Sequence, residues 1–60
     1  MTRERIIESI ARCEREAERC RQLCGDESLT WNDRFGAFHG ELDWRVAKKM
    51  FDEDLQKLAE

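Results

Sequence analysis

Proline and tyrosine are absent from the 60 residues, and glycine occupies only three positions. Without proline, nothing fixes φ or removes an amide donor inside a helix. Sparse glycine combined with 42% charged residues excludes a turn-rich β sandwich, while 40% apolar residues are too many for a disordered tail. No apolar run approaches the roughly 20 residues that a bilayer requires, so no membrane association is expected. Thr2, Arg3, Glu4 and Arg5 precede just two isoleucines before charge returns, which is not the continuous apolar core of a secretory signal. The expected location is cytoplasmic, where thiols stay reduced. A basic excess is missing too. With a net charge of −3, the chain lacks the usual electrostatic footprint of a nucleic-acid binder.

What is present is helical periodicity. Ile6, Ile10, Cys13, Ala17, Cys20 and Cys24 recur in steps of three and four, as do Trp31, Phe35, Phe38, Leu42, Val46 and Met50. Thr2 is placed to cap the first helix and Gly25 to end it in a left-handed conformation. Thr30 followed by Asp33 resembles the capping box that starts the second, with Asp in place of the longer acid. The reading is all-α: one domain over 1–60, a helix over about 2–24, a turn over 25–30 and an antiparallel helix over about 31–59. Folding the chain at its polar break pairs Cys24 with Trp31, Cys20 with Phe35, Ala17 with Phe38, Cys13 with Leu42, Ile10 with Val46 and Ile6 with Met50. Small residues then meet large ones.

Gly36 and Gly40 each cost about 1 kcal/mol in a helix interior. A break at Gly40 would place Glu41 and Asp43 in the first turn of a third helix and give a monomeric three-helix bundle. Continuity is favoured by another row, Trp44, Ala47, Phe51, Leu55 and Leu58, which at 100° per residue lies nearly opposite the Trp31 row on the same helix. Gly36 and Gly40 fall on its side. Laid antiparallel on a copy of itself, this row sets Gly36 against Leu55, Gly40 against Phe51 and Trp44 against Ala47, as a two-fold contact requires. The expectation is a hairpin that homodimerises through Gly36, Gly40, Trp44, Ala47, Phe51, Leu55 and Leu58 into an antiparallel four-helix bundle.

No enzyme is indicated. His39, the one histidine, has no accompanying nucleophile and is expected across the hairpin from Glu16, an ordinary contact. Cys13, Cys20, Cys24 and His39 form a candidate Cys₃His metal set or a thiol-redox site. Cysteines aligned along one helix row read more readily as small core hydrophobes, so no cofactor is expected. Asp52, Glu53 and Asp54 lack the glycine and alternating ligands of a calcium loop. Arg12, Arg15 and Arg19, on the first helix away from its row, are candidate contacts for another protein or for structured RNA, although Glu8 and Glu16 interrupt that face. The leading expectation is a non-enzymatic interaction module, a regulator, adaptor or inhibitor, that binds another protein as a helical-hairpin dimer. A metal or redox site and an RNA-binding hairpin are the alternatives.

Overall fold

The computed structural model describes residues 2–59; Met1 and Glu60 lie outside them, so the domain limits at 1 and 60 do too. The described chain folds into two α-helices, α1 (Arg3–Cys24) and α2 (Trp31–Ala59), packed against each other as a hairpin. The result is a rod measuring 46 × 14 × 13 Å. α2 runs without a break through Gly36 and Gly40, so the three-helix arrangement is not the one adopted. Neighbouring helix formers and the contact with α1 outweigh the cost of two glycines.

Local signals account for the helix ends. Thr2 is extended, and its hydroxyl oxygen accepts from the Arg5 amide at 3.3 Å, satisfying one of the free donors of the first turn. Thr30 does the same for the Asp33 amide at 3.2 Å. Gly25 departs from expectation: it adopts φ −90°, ψ 0° rather than a left-handed conformation. The helix ends by tightening instead. The Gly25 amide donates to the carbonyls of Arg21 and Gln22 at 3.3 and 3.2 Å, and that of Asp26 to Leu23 at 3.1 Å. A Cβ added at Gly25 would come no closer than 3.8 Å to the Gln22 carbonyl oxygen.

The connection is held by Asp26, whose Oδ1 accepts from the Ser28 hydroxyl at 2.6 Å and the Ser28 amide at 2.9 Å, an Asx turn. Those bonds, the hydroxyl's foremost, hold the Asp26 carboxyl below its usual range. The half-buried Arg34 then ties α2 to α1, its Nε donating to the Cys24 carbonyl at 2.9 Å. That bond caps one of the orphan carbonyls at the end of α1 and fixes where α2 starts beside it.

α1 turns its expected row inward: Ile6, Cys13 and Ala17 are buried, and Ile10, Cys20 and Cys24 half-buried. α2 presents the opposite row from the one expected. Its half-buried residues are Arg34, Ala37, Gly40, Glu41, Trp44, Ala47, Lys48, Phe51 and Leu55. Trp31, Phe35, Phe38, Leu42, Val46 and Met50 are exposed. The predicted pairing of Cys20 with Phe35 therefore gives way to Cys20 against Gly40, where an added Cβ would stand 3.1 Å from Sγ. The physical reason is distance between axes. Gly40, flanked by Ala37 and Ala47, lets α1 approach α2 closely at Cys20, which Phe35 at that point would prevent.

Two predictions follow from this seam and its turn. Gly36→Ala should stabilise the chain by about 1 kcal/mol, since nothing lies within 4 Å of a Cβ there. Gly40→Ala should gain less or destabilise, and Cys20→Ala should abolish the difference between the two glycines in thermal melts; equal effects in the parent chain would contradict the seam. For the turn, a carboxyl whose folded pKa is depressed stabilises fully above its unfolded range, and that contribution fades as pH falls through the folded value. The stability gap between the parent and Asp26→Ala should accordingly narrow on acidification, and a constant gap from neutral to acid pH would disprove the turn's charge dependence.

Candidate interaction face

The row left in solvent holds six of the large exposed apolar side chains among the described residues. Along α2, Trp31 is 70% exposed, Phe35 47%, Phe38 45%, Leu42 46%, Val46 60% and Met50 62%. Each follows the last by three or four residues, so together they form one continuous strip on a continuous helix. An isolated exposed leucine would call for no explanation, but a contiguous apolar strip is uncommon on the surface of a small folded chain.

Its N-terminal half is ordered by ring contacts. Trp31 and Phe35 stack with centroids 4.8 Å apart and an interplanar angle of 13°, and Phe35 meets His39 edge-on at 4.4 Å. Phe38 meets His39 at 5.7 Å and 78°. The Trp31–Phe35 and Phe35–His39 contacts follow from helical spacing, which brings i, i+4 side chains together, and from the preference of rings for stacked or perpendicular geometry. Trp31, Phe35 and Phe38 also line a groove with Cys24 and Arg34 at the loop end of the hairpin. His39 thus belongs to this strip rather than facing Glu16, because α2 is rotated from its expected setting.

Trp44, Ala47, Phe51 and Leu55, expected on a dimer surface, are half-buried in the seam instead, and Gly40 lies against Cys20. Leu55 and Leu58 line a shallow pocket with Arg3 and Ala59 at the far end of the rod. Leu58 remains 54% exposed, and Gly36 is exposed with open space around it. The sequence signal that could have separated the rows was the placing of small residues. A glycine or alanine at successive seam positions marks the face where a neighbouring backbone comes close, and here that neighbour is α1 of the same chain.

Arg5, Arg12 and Arg15 of α1 line one surface depression, whereas Arg19 lies apart from it. The Arg12 guanidinium lies 5.6 Å from the Trp44 ring, a cation–π contact that closes the edge of the seam. Arg19 is drawn to Glu16 at 3.8 Å. Arg15 lines a surface depression with Arg5, Glu8, Ser9 and Arg12, where Glu8 places a carboxylate among the cations. Other charged side chains pair along their own helices: Arg21 with Glu18 at 3.0 Å, Arg45 with Glu41 at 2.7 Å and Lys48 with Asp52 at 2.8 Å. The side-chain hydrogen bond between Arg21 and Glu18 lowers the pKa of the acid and raises that of the base. The bond to Asp52 likewise raises that of Lys48.

All three cysteines are free thiols. Among the described residues, no three His, Cys, Asp or Glu side chains gather in a metal-binding arrangement. His39 stands on the outward strip with Phe35 and Phe38, away from the seam thiols. Also among the described residues, no helix is long and apolar enough to cross a membrane.

The burial of the thiols sets an order of reactivity. Cys13 is 2% exposed, whereas Cys20 and Cys24 are half-buried and Cys24 lines the groove. Iodoacetamide should label Cys24 first and Cys13 only when the hairpin opens; mass-mapped labelling in which Cys13 reacts as fast as Cys24 would refute the packing. Compared with protein-family models, curated proteins and solved structures, the chain matches none.

Proposed function

We propose that this chain is a non-enzymatic protein-interaction module, a regulator, adaptor or inhibitor, and that its working surface is the outward strip of α2. The observation that carries the proposal is the solvent exposure of Trp31, Phe35, Phe38, Leu42, Val46 and Met50 in one unbroken row. Leaving such a row in water costs roughly 25 cal/mol for every Å² of apolar surface, so a partner that covers it gains correspondingly. Aromatic side chains on a rigid helix are also the usual anchors of binding energy, because they bring large contact area at small entropic cost.

The surface is the strip, not the Gly36, Gly40, Trp44, Ala47, Phe51, Leu55 and Leu58 row, most of which is already engaged with α1. The module is proposed to work in the cytoplasm, where Cys13, Cys20 and Cys24 remain thiols and serve as packing residues. A metal, redox or RNA-binding role has less behind it: the thiols are spread along one helix face, and Arg12 and Arg19 are occupied by Trp44 and Glu16.

Site-specific photo-cross-linking in the producing cells tests the proposal. A photoreactive phenylalanine at Phe38 should give discrete protein adducts that Leu42→Glu abolishes, whereas the same probe at Arg15 should give none of them. Absence of adducts from Phe38, or the same pattern from both positions, would refute an interaction role for the strip.

A further inference from the structure

Resting on that reading, we infer that a second copy of this chain covers the strip, running antiparallel to the first and centred near Gly40 and Glu41. The order of side chains along the row identifies the occupant. Its first three members, Trp31, Phe35 and Phe38, are aromatic, and its last three, Leu42, Val46 and Met50, are aliphatic. Antiparallel self-pairing sets Trp31 on Met50, Phe35 on Val46 and Phe38 on Leu42, each ring against a flexible or branched aliphatic chain, and each contact occurs twice about a two-fold axis. The thioether of Met50 on the Trp31 ring is itself a favourable contact. A parallel arrangement would instead set ring on ring and leave the aliphatic ends thinly packed. At the edge of the antiparallel row, His39 falls beside Asp43 of the second copy.

Area and core size point the same way. Six side chains of this kind, each between 45% and 70% exposed, offer on the order of 600 Å² per chain. Two copies would bury about 1,200 Å², the lower bound of a standard specific interface. Within one chain the buried apolar core among the described residues is Ile6, Cys13 and Ala17, too little to hold a 60-residue hairpin without oligomerisation, which is how small domains commonly make good the deficit.

The geometry of α2 also sets the form of the assembly. Its seam with α1 and its outward strip lie roughly 160° apart at 100° per residue. Pairing through the strip consequently places the two α2 helices side by side with an α1 on each flank, a row of four helices instead of a square bundle.

Sedimentation equilibrium of the full chain at tens of micromolar should return twice the 7.2 kDa chain mass. A nitroxide introduced as an unnatural residue at Lys57 should show a separation of about 50 Å between copies, from the helical rise on either side of the two-fold axis. Phe38→Glu should weaken association at least about tenfold while circular dichroism follows its helix content. A mass of 7.2 kDa would overturn the second-copy assignment, and adducts from Phe38 to a different protein would then leave the interaction reading standing. A dimer whose Lys57 labels lie close together, or one that Phe38→Glu leaves intact, would overturn the antiparallel strip. The separation is read on an unaltered strip, so it decides the matter even if the glutamate variant unfolds.

Discussion

The close approach of Gly40 to the Cys20 thiol, with an imagined Cβ only 3.1 Å from Sγ, governs the rest of the molecule. A glycine at that point lets the two helix axes come near enough for Ile6, Cys13 and Ala17 to be enclosed by α2. It also sets the rotation of α2 about its own axis, because a helix can bring only one face to its neighbour. With Gly40, Trp44, Ala47, Phe51 and Leu55 toward α1, the Trp31 to Met50 row has nowhere to go but outward. The exposed strip is thus a consequence of how the seam is closed, and weakening one would alter the other.

The seam is secured at its loop end and along its edge by polar contacts that do not compete with the apolar packing. Arg34 reaches back to the Cys24 carbonyl, and the Asp26 to Ser28 turn shortens the path between the helices. Arg12 covers Trp44 from α1. Exposed ion pairs such as Arg21 with Glu18 contribute little stability individually.

Much of the local structure was legible in the residues. Thr2 and Thr30 announced the two helix starts, the absence of proline allowed long helices, and the period of Ile6 to Cys24 marked the inward face of α1. The Gly25 conformation was not, because a tightened helix end with ordinary φ satisfies the same carbonyls as a left-handed one. The seam row of α2 and the outward place of His39 were not either, because matching small residues with large ones along two rows gives no preference between two apolar faces on the same helix.

Sequence alone determined that this protein is all-helical, with helices starting after Thr2 and Thr30 and a polar turn between them, since caps, helix propensity and apolar period all act within a few residues of one another; that α2 runs unbroken through Gly40 was decided by the structure. It also determined that α2 carries apolar rows on two sides. Only the tertiary structure decided which row is spent inside the chain. That choice depends on how closely the helices approach, and so on Gly40 meeting Cys20 across a turn held by Asp26 and Arg34, a relation between residues remote in the chain.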